Sequence, residues 1–468
     1  MTPIFSPGSE GMSLTAVPPS TKARRLRSFL LTTLLCASTA GAQNLLVENV
    51  SLLDGTGGPA VAGMWVAVED GRISAVDNAP LEAPDGAVVL NGEGRYLMPG
   101  LVDMHIHLRG GVRTPPEGLQ EPPAPNFEEG IQALHGYLYS GFTMLYDAGN
   151  DPDFILEMRD RERAGEIESP RIFATGGIVT YPGSHGSSAG ATLVDDWPEA
   201  KPLLDAHIAR QPDVLKLTYE ERGWGSRPTI PRLPVELMQT IVEYYNERGI
   251  RTTVHTSSEL RARQAIFAGV DTLAHPIIQG PVTEQFARLM AAKGVPMVTT
   301  LTIGENYARL VEQPEYLDQP IYRDTIDPDE IETLRTETRA EYEARPWTWW
   351  MKVMTEIAKE NVRMVHAAGG VLVAGSDQSS GPAGHRELEL LQDAGIAAVD
   401  IIPIATLNGA VFLGMQHKFG SIEPGKYADM VLLDANPAED INNAKAILEV
   451  IKGGRVIDRS ALNLPVNR

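Results

Sequence analysis

Cysteine is nearly missing from this sequence: 468 residues carry one, Cys36. A chain so poor in thiols has no disulfide framework and no thiolate cage for a metal. Any metal site must therefore be built from nitrogen and oxygen. Positive charge is also scarce. Lys and Arg number 40 against 61 Asp and Glu, a formal net charge of −21. That balance argues against nucleic acid or an anionic membrane surface as a partner. No stretch is long and apolar enough for a transmembrane helix, so no stable membrane association is expected. What is present is a globular composition, 43% apolar and 22% charged, on a chain long enough for more than one domain.

Residues 1–42 read as an N-terminal extension and signal peptide. Lys22, Arg24, Arg25 and Arg27 form a basic region. Residues 29–37 are its apolar core, too short to span a bilayer. Ala40-Gly41-Ala42 has the small-x-small pattern of a cleavage site. The mature chain is then expected to begin near Gln43 and to be exported, periplasmic or secreted. Cys36 would leave with the leader. Met12 is an alternative start.

Residues 43–96 and 416–468 hold short alternating runs with turn signals such as Asp70-Gly71 and Gly453-Gly454. Two such segments at opposite chain ends are expected to form one small β-sandwich domain. Between them lie eight apolar runs, at 101–106, 143–146, 171–174, 214–217, 251–254, 272–274, 296–300 and 371–374, separated by helical patterns. That count and order predict an α/β fold, a (β/α)8 TIM barrel over residues 97–415. Residues 303–370 are too long for an ordinary connection. They are expected to be an inserted helical segment, either a lid over the mouth or a helix with aromatic caps on the barrel's outside.

In such a barrel the chemistry sits at the C-terminal ends of the strands. The first run ends in His105 and His107, whose i, i+2 spacing puts both imidazoles on one strand face. The fourth carries Lys216, the fifth ends at His255, the sixth at His275 and the eighth at Asp377. Each alone has an ordinary structural explanation: a hydrogen-bonded core histidine, a snorkelling lysine. All six, four histidines, a lysine and an aspartate, converging on one mouth is more than chance placement gives.

The phrases Met98-Pro-Gly-Leu-Val-Asp-Met-His-Ile-His107, Val254-His255, Ala274-His275, Gly375-Ser-Asp377 and Ile422-Glu-Pro-Gly-Lys-Tyr-Ala-Asp429 occur in this order. The chain resembles the amidohydrolase superfamily over nearly all of residues 44–460. The resemblance implies two divalent metal ions, zinc first among the choices. His105, His107 and Asp377 would hold the more buried metal, and His255 and His275 the second. Lys216 would bridge both as a carboxylated lysine. A buried lysine loses its charge readily, giving the neutral amine that carbon dioxide needs. The implied reaction is metal-assisted hydrolysis of a carbon–nitrogen bond, with Asp377 as the catalytic general base and then acid.

Within the superfamily the chain looks similar to the imidazolonepropionase-like and Xaa-Pro dipeptidase-like branch. The phrases Ala174-Thr-Gly-Gly177, His185-Gly186 and Tyr219 after Lys216 carry that likeness. Tyr219 and His185 are candidates to hold a substrate carboxylate. Arg109, just past His107, is another, and resembles the arginine of dihydroorotase-like enzymes. The expected substrate is a small-molecule amide or dipeptide, or an N-acyl amino acid. A cyclic amidase is the alternative, and a non-catalytic binding protein of the same fold is the third reading. A homo-oligomer is compatible with all three.

Overall fold

The computed structural model describes residues 43–111, 124–187, 190–221 and 229–468. The expected export segment 1–42 and most of the proline-rich stretch 115–125 lie outside the described residues. All eight expected runs are strands: Leu101–Ile106, Phe142–Asp147, Arg171–Ala174, Val214–Thr218, Arg251–His255, Thr272–Leu273, Met297–Val298 and Leu372–Val373. Neighbours along this order pair in parallel within two sheets. Backbone bonds carry the ring across the two remaining seams. Asp213 N donates to Ala174 O at 2.9 Å, and Met104 N donates to Ala374 O at 2.9 Å. Every residue of Leu101–Ile106 and Phe142–Asp147 is buried. This is the state of parallel strands covered on both faces, and it explains why their sequences run apolar without alternation.

The outer helices start where the sequence supplies an acceptor. Asn126, Asp151, Asp196 and Thr283 cap the helices Phe127–Tyr139, Pro152–Arg163, Trp197–Ala209 and Glu284–Lys293, each taking an orphan N–H of the first turn. Each helix then returns the chain to the barrel's N-terminal end, so that the next strand again points its C-terminus at the mouth.

Both chain ends build the β domain. Tyr96–Pro99 pairs antiparallel with Met430–Leu433, Leu97 opposite Leu432. It belongs to one network of eight strands that includes Leu45–Leu52, Val61–Glu69 and Ile447–Lys452. The network folds over an apolar core of its own, with Leu45, Val47, Val66, Leu97, Met430 and Ile451 inside. Its far strand, Arg72–Asp77, meets the segment leading into Met430–Leu433 through Ile73 N to Lys426 O and Ala428 N to Gly71 O. The sandwich is therefore a single sheet wrapped onto itself. Gly100 is the step from this domain into the barrel. A Cβ there would lie 2.1 Å from Thr143 Oγ1, so only glycine passes.

The segment 303–370 is helical. Leu301–Glu312 and Thr348–Ala367 pack on each other, with shorter helical turns between them. Those turns share a core with the end of the first helix, formed by Leu310, Tyr316, Leu317, Tyr322 and Ile326. They rest on the barrel's flank, where Tyr139 donates to Asp324 at 2.9 Å. Toward the mouth the segment reaches Arg109 through an ion pair with Glu330. Trp347 packs edge-on to Tyr307, while Trp349 is exposed.

Candidate metal centre

His105, His107 and Asp377 come together at the mouth. One ligand atom from each lies within 4.8 Å of the others. His107 Nε2 is 3.1 Å from Asp377 Oδ1, and His105 Nε2 is 3.6 Å from it. The far nitrogens are anchored on main-chain oxygens: His105 Nδ1 on Ala274 O at 2.9 Å, His107 Nδ1 on Gly149 O at 2.7 Å. A carbonyl only accepts, so Nδ1 carries the proton and each Nε2 turns its lone pair inward. Two imidazole nitrogens and a carboxylate converging in this way form a donor set that fits a divalent cation.

The remaining three predicted ligands complete the ring. Lys216 Nζ is 3.1 Å from His105 Nε2 and is buried. The His275 ring lies 4.4 Å from both His105 and His255, centroid to centroid. Burial, and then the surrounding imidazoles and Lys216, push His255 and His275 well below the ordinary histidine range. Both are neutral at pH 7, the form that binds metal. Burial pushes the Asp377 carboxyl up, but its neighbours, His107 first and then His275 and Lys216, hold it down to about 2. It is an anion at neutral pH.

The backbone is bent to make this arrangement. Asp377 has φ +52° and Thr300 φ +30°, left-handed positions that cost about 1–3 kcal/mol for residues with a side chain. Thr300 uses its place to set its hydroxyl 3.0 Å from His275 Nδ1. Gly375 packs directly under His105. A Cβ on it would meet Val298 Cγ1 at 2.3 Å and His105 Cβ at 3.0 Å. Asp103 accepts from Ser376 N at 2.9 Å and Ser376 Oγ at 2.6 Å, tying the first strand to the Gly375-Ser-Asp377 turn. Burial raises its carboxyl to about 7 against those bonds. Asp147 accepts from Leu108 N and Gly149 N, fixing the loops on either side of His107.

Sequence reasoning passed over Thr300, Asp103, Asp147 and Glu220. Asp103 and Glu220 carried a signal, since Asp103 continues the alternation of His105 and His107 one step down its strand and Glu220 keeps the phase of Lys216 two steps on. Of the substrate candidates, His185 stacks on His255, with centroids 4.1 Å apart and planes 12° apart. Tyr219 is buried and donates to Gln264 Oε1 at 2.9 Å, with Arg232 over its ring. Arg109 is engaged by Glu330.

Residues 96–457 match the model of the amidohydrolase family. Curated relatives align over part of their length. An adenine deaminase of Paracoccus denitrificans is 44% identical over 57 residues, 12% of this chain and 9% of that protein. A dihydroorotase of Anaeromyxobacter dehalogenans is 26% identical over 213 residues, 45% of this chain and 41% of that protein. The chain thus spans less than half the length of these relatives. Among solved structures, a Xaa-Pro dipeptidase with bound methionine superposes with TM-score 0.69 at 22% identity, covering 89% of this chain and 100% of that one. A putative prolidase from Bifidobacterium longum gives 0.70 at 23%, covering 89% and 95%. A molinate hydrolase gives 0.71 at 20%, covering 90% and 96%. At these identities the likeness is one of fold.

Proposed function

Since the chain belongs to the amidohydrolase family, we propose that it is a binuclear-metal amidohydrolase that cleaves the amide or peptide bond of dipeptides or N-acyl amino acids. The observation that carries this reading is Lys216 Nζ at 3.1 Å from His105 Nε2, close enough to Asp377, His255 and His275 to act on all three electrostatically. Carboxylated, that side chain would offer one oxygen to each metal. His105, His107 and Asp377 would hold one metal, and His255 and His275 the other, with zinc suiting the donors. Two bound cations lower the pKa of water and polarise a carbonyl.

The chain's own residues do the rest. Asp377 is ionised and stands at the rim of the cluster, so it takes the proton of an attacking water and returns it to the leaving nitrogen. Its carboxylate lies against His107 and His105. Barrel side chains close the site from below and keep bulk water out. The dipeptidase and prolidase of similar fold support a peptide substrate. For such a substrate Arg109 would hold the carboxylate by exchanging its present partner, Glu330, for the ligand. A second reading, a cyclic amidase, is favoured by the dihydroorotase match and by Arg109 lying two residues past His107. Removal of residues 1–42 would place this hydrolase outside the cytoplasm.

The test is Lys216→Ala. It should bind less than the full complement of metal and lose nearly all turnover on a panel of dipeptides, N-acyl amino acids and cyclic amides. Lys216→Arg should do no better, because a guanidinium does not carboxylate. Activity saturating at one metal per chain, with Lys216→Ala still active, refutes the two-metal assignment.

A further inference from the structure

The two halves of the centre are held in different ways. His105 and His107 are locked by main-chain carbonyls. His275 is held by a side-chain hydroxyl, and His255 stacks on the ring of His185. The loops that follow the strands of the second half share an anchor with the loop after Lys216. One buried carboxylate joins all three of those loops. Glu220 is 1% exposed and lies four residues past Lys216. Its Oε2 accepts from Ser257 N at 3.0 Å and from the Ser257 hydroxyl, two residues past His255. Its Oε1 accepts from Gln279 Nε2 at 3.3 Å, four residues past His275, and from Glu221 N at 2.8 Å. The Ser257 carbonyl accepts from Ile278 N and Gln279 N, both at 3.0 Å.

We propose that Glu220 is a positioning residue for the second metal: its carboxylate pins together the loops that follow Lys216, His255 and His275, and so sets how tightly that half of the centre binds. The inference rests on the two-metal reading above. The physical reason is the donor count. Four N–H or O–H groups from three loops point at one carboxylate, and only an anion with two acceptor oxygens receives them all. A glutamine at this position keeps the shape but turns one acceptor into a donor facing other donors. The three loops then separate, while the main-chain anchors of His105 and His107 are untouched.

The experiment titrates chelator-stripped protein with zinc by calorimetry and counts bound zinc after desalting. The parent should bind two. Glu220→Gln should bind the first zinc as the parent does and the second at least tenfold more weakly, with the stripped proteins melting within a few degrees of each other. Two zinc ions at parental affinity in Glu220→Gln overturns the proposal. Equal weakening of both sites together with a large fall in melting temperature also overturns it, because Glu220 is then a general strut. Should Glu220→Gln not fold, Gln279→Leu removes one of the donors and should weaken the second zinc selectively; unchanged binding there overturns the proposal as well. A parent that binds a single zinc refutes the two-metal reading itself, before any variant is measured.

Discussion

His385 makes the protein's stability depend on pH in a way that one substitution isolates. The ring is buried against Phe142, and its Nε2 lies 2.8 Å from Ser140 O. Burial, with the positive charge of Lys445 behind it, lowers the imidazole from 6.5 to about 4, although the Ser140 carbonyl and Glu389 pull the other way. The folded pKa is depressed, so the unfolded chain binds the proton first. The contribution is complete above the unfolded value and is lost as pH falls from about 6.5 toward 4. At 1.36 kcal/mol per pKa unit the loss approaches about 3 kcal/mol near pH 4 and about 2 kcal/mol near pH 5. A glutamine at 385 does not titrate, and its amide N–H is able to donate to the same carbonyl. Urea unfolding of the stripped parent and of His385→Gln, in steps from pH 7.5 down to 4.5, should show the parent losing about 2 kcal/mol more than the variant. The other buried histidines are common to both chains and cancel in the difference. Parallel stability curves would refute the argument, because the burial of His385 would then not be opposing its protonation.

Two further outcomes follow from packing. Gly375→Ala puts a methyl 2.3 Å from Val298 Cγ1 and 3.0 Å from the His105 backbone nitrogen; overpacking of this kind costs about 1–3 kcal/mol and should displace His105, so elemental analysis should find the first zinc depleted, and full zinc content would contradict it. Arg171 binds Asp429 at 2.6 and 3.0 Å, with its guanidinium over Tyr427 and Phe419, at the seam between barrel and β domain. Arg171→Met leaves that carboxylate without its cation and should cost about 3 kcal/mol in denaturant unfolding; because the seam is remote from the mouth, zinc content should stay at the parental level.

How much of this was legible in the sequence turns on residue spacing. The barrel strands were, because strands buried on both faces read as plain apolar runs and each sits at the expected interval. Tyr96–Pro99 was not recognised as a separate strand, since it joins the first barrel strand through Gly100 and the two read as one run. Val88–Asn91 is a short strand with no fully buried residue, and the two apolar residues it packs on the core, Val88 and Leu90, are too few to mark an alternation. Nothing marked Thr300, because a β-branched residue is among the last expected at positive φ. The arrangement of the insertion on the flank was equally hidden, since its amphipathic helices would suit a lid as well as a wall.

The mouth was more legible than composition and motif alone made it. Successive strand side chains point to opposite faces. Lys216 faces the barrel interior, so Thr218 and Glu220 keep its phase and Tyr219 is out of it. The structure agrees: Tyr219 turns to Gln264 and the arginines, and Glu220 turns to the loops of the centre. The same count places Ser257 in phase with His255 and Gln279 in phase with His275. These three in-phase residues are the ones that bond to one another. The segments that carry these residues past the strand ends are irregular, with bends at His275 and Gln279. Pinned loops of that kind need a common anchor, and the buried carboxylate of Glu220 is the group that receives their donors.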